Sequence, residues 1–265
     1  MKDLLLGGEG LIGAALSEEL RRRGHETISL DLRSGHDLRF AEAEPFLAAD
    51  RVWFLAWDTG GAKYIESRDS QHDTYRHNCE LSVHVFGLLA HPRRPFVFAT
   101  SQLAGQVNAY GLTKLMAEHW AAHLGGQIAR FWNVFGWEEP GRKSHVMTDL
   151  VISGLREGRV RCLTTGKERR RLLYKSDAAL ALVELAESGQ PAADIAGEPW
   201  LTIGDVAKEV ARQLGVPVVF GDRVGSEVPV DPTLLLPSWR PRVSLEEGVA
   251  KVIADARAYL ASGHG

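Results

Sequence analysis

Tyr110 and Lys114 stand four residues apart in the run YGLTK. On a helix this spacing puts both side chains on one face. An ammonium close to a phenol favours the phenolate, so the tyrosine becomes usable as an acid or base toward a carbinol or carbonyl oxygen. A hydroxyl that holds the same oxygen is expected at the end of the preceding strand. The segment FVFATSQLAG supplies Ser101 as first choice and Thr100 as second. The same spacing also occurs in solvent-facing helix pairs, and a strand-end hydroxyl also serves as a cap. The pair therefore gains meaning from what surrounds it.

The second chemical signal lies at the start of the chain. Gly7, Gly10 and Gly13 in GGEGLIG follow a short apolar run, Leu4 to Leu6, and open an apolar-faced segment. Glycine permits a tight turn and lets backbone N–H groups approach a pyrophosphate, while the positive end of the following helix faces the same anion. A tight turn without a ligand is the alternative for a lone glycine pattern. Asp31 stands near the end of the second expected strand, at the distance of a ribose contact. A carboxylate there accepts from ribose hydroxyls and repels a 2′-phosphate, which favours NAD. Arg33 argues partly for NADP, because a guanidinium pairs with that phosphate. Asp37 is a further candidate toward the adenine, or else a solvent-facing loop residue. Leu11, Ile12, Leu55, Ala56 and Lys114 complete the expected dinucleotide contacts.

Elements must bring these residues together. Strands are expected at Leu4–Leu6, Thr27–Leu32, Arg51–Trp57, Phe96–Thr100 and Ile128–Val134. Helices are expected at 11–23, stopped by Gly24, and at Thr74–Leu89 and Thr113–His123. This alternation predicts an α/β fold with a Rossmann-type doubly wound parallel sheet. After Gly136 the texture changes to Gly, Pro and charge, followed by helical stretches at Met147–Glu157, Ala178–Glu187, Ile203–Leu214 (capped by Thr202) and Leu245–Leu260. Residues 221–237 read as loop and short strand. The expected division is 1–136 for the dinucleotide-binding part and 137–265 for a small C-terminal substrate lobe, with some elements returning to the first.

Composition sets bounds. The chain has 265 residues, 45% apolar and 25% charged, enough for a buried core. A net charge of -3 gives no whole-domain basic field for nucleic acid. Cys79 and Cys162 lie far apart and show no ligand spacing or disulfide framework. His72, His77, His84 and His91 are scattered, so no metal is expected. Trp53, Trp57, Trp132 and Trp137 read as core or pocket wall. No apolar run reaches membrane length and no signal peptide is evident, so a cytoplasmic protein is expected.

Taken in order, these motifs resemble the extended short-chain dehydrogenase/reductase family, which includes nucleotide-sugar epimerases, dehydratases and 4-ketoreductases. The resemblance runs over nearly the whole chain: GGEGLIG, Asp31, VWFLAW (Phe54 standing where histidine is common), Asn78, FVFATS, YGLTK, RFWNVFG, RRLLYKSDAALAL and WRPRVSLEEGV. It implies that Asn133 sits against the pyrophosphate of a nucleotide-diphosphate sugar, that Arg170 holds its phosphates, and that Asp177 is the second aspartate of its segment. It also implies a homodimer built through the helices at 74–89 and 113–123. Three departures stand out. Only the short stretch QLAGQVNA, with LAGQVNA as its loop, separates Ser101 from Tyr110, and Gln102 and Leu103 occupy the place of the dehydratase acid pair. Trp137 replaces a usual proline. Arg170 lies in a basic run, Arg156 to Lys175, opposed within it by Glu157 and Glu168. Most of that run reads as a solvent-facing charge cluster. The expected function is an NAD(P)-dependent nucleotide-sugar epimerase or 4-ketoreductase. A redox-inactive dinucleotide sensor or scaffold is the alternative.

Overall fold

The computed structural model describes residues 1–227 and 230–263. Its centre is a six-stranded sheet in the order β2-β1-β3-β4-β5-β9. The strands are β1 (Lys2–Leu6), β2 (Glu26–Leu30), β3 (Arg51–Phe54), β4 (Phe96–Ser101), β5 (Gln127–Phe131) and β9 (Ala192–Ile195). Every neighbouring pair is parallel. Helices α1 (Leu11–Arg22), α4 (Gln71–Ala90), α5 (Ala109–His123) and α7 (Lys175–Ser188) contribute apolar faces to the cores flanking it, with short α2 (Glu44–Ala48) and α3 (Ala62–Ile65) between. A sheet covered on both faces needs strands that are apolar on both faces. β4 shows this, since all six residues of FVFATS are buried.

Two apolar cores result. One packs Leu16 and Leu20 of α1 with Ala178 and Leu182 of α7 over Trp53 and Val97. The other packs Phe54, Phe86 and Phe98 as edge-on and tilted rings. Burying one such side chain contributes roughly 1.5–3 kcal/mol. The chain order reverses between β1 and β3, which flank each other while β2 lies outside. The C-terminal ends of strands at such a switch point form a crevice.

The remaining elements are β6 (Asn133–Phe135), α6 (Val146–Glu157), β7 (Val160–Thr164), β8 (Arg169–Tyr174), β10 (Trp200–Thr202), α8 (Ile203–Leu214), β11 (Val218–Arg223) and α9 (Leu245–Ala261). They make small sheets β10-β8-β6 and β11-β7 around a third core that includes Phe135, Met147, Val206 and Val252. α7 and β9, late in the chain, return to the large sheet through β5.

Several expected boundaries move. β2 ends at Leu30 and β3 at Phe54, so Leu32 opens a short 3-10 turn and the segment 55–57 is loop, not strand. The run expected as one strand, 128–134, is two. Trp132 donates its backbone N–H to Ile195 O (3.0 Å), and Asn133 then starts β6 in a different sheet. β7, β8, β9 and β10 were not expected as strands. α8 begins at Ile203 as expected, with a reciprocal capping box between Thr202 and Asp205.

Candidate active site

The loop after β1 is shaped by two glycines that tolerate no side chain. Gly7 has φ +88°, and a Cβ on it would lie 2.7 Å from Ala56 N. A Cβ on Gly13 would lie 2.1 Å from Gly7 O. Gly10 is the N-cap of α1, which has no side-chain cap and no acidic residue in its first turn. The helix's first amides therefore keep their positive end unopposed by protein carboxylates. Leu55 and Ala56 both donate backbone N–H to Leu6 O (2.9 and 2.8 Å), which ties the end of β3 to the loop.

Asp31 is 8% exposed. One carboxylate oxygen accepts from Glu9 N (3.0 Å) and the other from Arg33 N (2.9 Å), so it braces the glycine loop and caps the following turn. The Arg33 guanidinium donates to Glu9 O (2.7 Å) and stays at the mouth of the same loop. Asp37 is gripped by the Arg39 guanidinium, which holds its carboxyl below the usual range and leaves it a structural partner as well as a lining residue.

Tyr110, Lys114, Thr100 and Ser101 converge where β4 meets α5. Asn108 caps α5 by accepting from Gly111 N (2.8 Å), so the helix starts before Tyr110, rather than at Thr113. A Cβ on Gly111 would lie 2.5 Å from Gln106 O and 2.7 Å from Leu103 O. This close approach lets the short segment 102–108 fold directly onto the first turn of α5. Lys114 is 4% exposed. Its ammonium donates to Ala99 O (2.7 Å) and lies 4.1 Å from the Trp57 ring centre and 4.9 Å from that of Phe98. The ammonium thus rests on a carbonyl and two ring faces. Burial lowers the Lys114 pKa well below its ordinary value, against a smaller opposing effect of Glu118. Burial likewise raises the Tyr110 phenol, partly offset by the polar influence of the Ser101 and Thr59 hydroxyls. The sequence reading of a lowered phenol is therefore corrected for the free protein.

Ser101 Oγ also accepts from Leu103 N (3.1 Å). Thr100 Oγ1 is buried with no hydrogen-bond partner among the described residues. Gln102 donates its amide to Asn133 Oδ1 (3.2 Å), which leaves the Asn133 amide hydrogens for another acceptor. Asn78, fully buried, accepts from Asp58 N (2.8 Å) and donates to Asp58 O (3.2 Å), fixing the segment after β3. The Asp58 carboxylate takes the Lys143 ammonium, Tyr64 Oη–H (2.9 Å) and Thr74 Oγ1–H (3.0 Å). Burial pushes this carboxyl up, but these donors outweigh it and hold the group low. Thr59 and Gln102 were missed as site residues, whereas Trp57 stands in the cleft wall, one of its two expected places. Their signal was position, directly after the strands that end in the crevice.

The basic run is more neutralised than its sequence suggested. Arg169 pairs with Glu227 and Arg171 with Asp231, both from far along the chain. Arg170 instead donates to Ser226 O (2.6 Å) and Arg169 O (2.8 Å), and burial lowers its pKa.

One cleft of about 1280 Å³ joins all these places. Its wall includes Gly7, Gly10, Leu11, Ile12, Gly13, Asp31, Arg33, Leu55, Ala56, Thr100, Ser101, Tyr110, Lys114, Asn133 and Arg170. Typical small-ligand pockets are roughly 300–1,000 Å³, so the cleft has room for two sizeable ligands end to end. Among the described residues, no helix is long and apolar enough to cross a membrane.

Comparison with known proteins agrees with this geometry. A UDP-glucuronic acid decarboxylase from Arabidopsis thaliana is 22% identical over a 307-residue alignment covering 97% of this chain and 70% of the relative. Among solved structures, the UDP-glucose 4-epimerase of Thermotoga maritima, determined with UDP-glucose, superposes with a TM-score of 0.80 at 21% identity, covering 98% of this chain and 100% of that one. The UDP-glucuronic acid 4-epimerase of Bacillus cereus, in complex with UDP-glucuronic acid and NAD, gives 0.83 at 18% identity, covering 97% and 99%. The model of the NAD dependent epimerase/dehydratase family matches residues 4–196, from β1 through α7 and β9, and the chain belongs to that family of extended short-chain dehydrogenase/reductase enzymes.

Proposed function

We propose that the chain is an epimerase or 4-ketoreductase acting on a nucleotide-diphosphate sugar with NAD, and that Tyr110 carries the proton. The observation that supports this most is the joining of the close-packed glycine loop with Tyr110, Lys114, Thr100 and Ser101 in the wall of one cleft. Gly7, Gly10 and Gly13, with the open first turn of α1, suit a pyrophosphate. Asp31 keeps lone pairs for ribose hydroxyls after serving Glu9 and Arg33, and its charge favours NAD over NADP. When bound, the nicotinamide ring supplies a hydride acceptor or donor.

The chain's own residues do the rest. A phenol raised by burial is protonated at neutral pH, so Tyr110 is ready to donate to a sugar oxygen that gains hydride. To act in the other direction it must lose its proton, and Lys114 favours this once its ammonium leaves Ala99 O for the phenol and ribose. Ser101 orients the phenol. Thr100, whose hydroxyl is unsatisfied among the described residues, is suited to hold the sugar oxygen, so the two hydroxyls divide the role first given to Ser101. Asn133 and Arg170 lie toward the substrate end and suit the diphosphate, where arginine offers forked donors. Gln102 is neutral where elimination chemistry needs an acid, which favours epimerisation or reduction over dehydration.

A homodimer is supported by exposed apolar residues on α4 and α5: Tyr75, Val83, Leu112, Leu115 and Met116 are 36–61% exposed.

The test is Tyr110→Phe, measured with a panel of nucleotide sugars while nicotinamide absorbance is followed. Folding and dinucleotide binding should persist while turnover falls at least 100-fold, the low end of what general acid–base catalysis contributes, roughly 10²–10⁴-fold. Full turnover by the folded variant sinks the proton-transfer role. Dinucleotide binding with neither a transient absorbance change nor any sugar product, epimer included, in the wild type favours a redox-inactive sensor.

A further inference from the structure

Lys114 is the buried cation of the cleft, and its surroundings are unusual for an ammonium. The ring face of Trp57 lies 4.1 Å from Nζ and that of Phe98 4.9 Å. These rings pack edge-on to one another with centres 5.6 Å apart. Nζ donates a hydrogen bond to Ala99 O (2.7 Å). Phe98 is a core residue of β4, fully buried among Phe54, Phe86 and Trp57. Trp57 differs, because it stands after β3 on the cleft wall and is only half-buried. Its backbone neighbour Asp58 is clamped by Asn78, Tyr64, Thr74 and Lys143, and the indole itself packs on Phe54 and Phe98.

Resting on the enzyme reading above, we propose that Trp57 is a positioning residue for Lys114: its ring face keeps the ammonium charged and parked on the Ala99 carbonyl, one step from Tyr110, until a dinucleotide draws it across. A cation over an indole face is attracted by the ring quadrupole, and more strongly when both are desolvated. Burial works against the charged form, and the ring offsets part of that cost. Other groups near the ammonium are accounted for. Glu118 and Tyr110 lie on the same helix, and Glu118 is bound to Arg130. Asp58 on the Trp57 side is bound to Lys143. β4 brings no titratable side chain, and α4 brings Asp73, Arg76 and His77 to the same cleft. None replaces the indole face above Nζ.

The experiment measures dinucleotide affinity by calorimetry, and turnover, across alkaline pH for the wild type, Trp57→Phe, Trp57→Leu and Trp57→Met. Trp57→Phe keeps a ring face, whereas Leu and Met keep bulk without one. Loss of the face lowers the pKa of the ammonium. The alkaline fall of affinity should therefore move about one pH unit toward acid in both aliphatic variants. Trp57→Phe should restore most of the wild-type profile. Two aliphatic variants guard against one failing to fold. If the folded aliphatic variants lose affinity at the same pH as the wild type, the positioning role is overturned while the enzyme reading stands. If the wild type binds no nicotinamide dinucleotide at any pH, the enzyme reading itself falls.

Discussion

Gly13→Ala tests how the phosphate loop is built. The added Cβ would stand 2.1 Å from Gly7 O and 2.8 Å from Gly8 Cα, where ordinary contact begins at 3.4 Å. Relief therefore needs a shift of 3.4 − 2.1 = 1.3 Å between the loop and α1. Neither side yields easily. Gly7 is pinned at φ +88° against Ala56, and α1 is held by Leu16 and Leu20 in a closed core. Overpacking of this kind costs about 1–3 kcal/mol. For a chain of this size, each kcal/mol lowers Tm by roughly 2–4 °C. The same shift moves the amides that face the pyrophosphate, so NAD affinity should fall about tenfold or more, the equivalent of ~1.4 kcal/mol. Gly10→Ala is the internal control for the melt alone, since its Cβ would lie 3.3 Å from Gly7 O and needs almost no movement within the protein. Calorimetric titration with NAD and a thermal melt read both quantities. A Gly13→Ala protein that melts and binds like the wild type would refute the close-packing argument for the loop.

Three other outcomes are expected. Arg170→Met should raise KM for the nucleotide sugar about tenfold or more, as one charged hydrogen-bonding group is worth roughly 1.5–3 kcal/mol, with NAD affinity unchanged; an unaltered KM would remove Arg170 from the diphosphate site. Asp58 has a lowered folded pKa, so its stabilising contribution is present above its ordinary value of 3.8 and is lost as pH falls through the lowered one. Hydrogen exchange of residues 58–66 should accordingly speed up at acid pH in the wild type, and Asp58→Asn should show no such added acid sensitivity; equal profiles would refute the clamp. Met116→Glu on the apolar face of α5 should give a monomer by light scattering, and an unchanged mass would place the contact between copies elsewhere.

Some of this was open to sequence reading and some was not. The glycine loop, Asp31 and the Tyr110–Lys114 spacing are local features. The steric needs of a turn and the pitch of a helix fix their meaning within a few residues, and the structure places them all on one cleft wall. The α8 cap at Thr202 is legible for the same reason. Harder were strands whose role depends on distant partners. A continuous run from Ile128 to Val134 hides a change of sheet at Trp132, because what divides it is pairing with β9 on one side and β8 on the other. Glu227 and Asp231, which neutralise Arg169 and Arg171, lie some sixty positions away and have no local signature.

The sequence by itself determined that a dinucleotide-type loop and a tyrosine–lysine helix exist in one parallel α/β chain, because backbone sterics and helical spacing act at short range. Only the tertiary structure decided where the lysine's charge rests. Its partners, the Ala99 carbonyl and the rings of Phe98 and Trp57, come from β4 and the loop after β3, and long-range packing alone brings those elements beside α5.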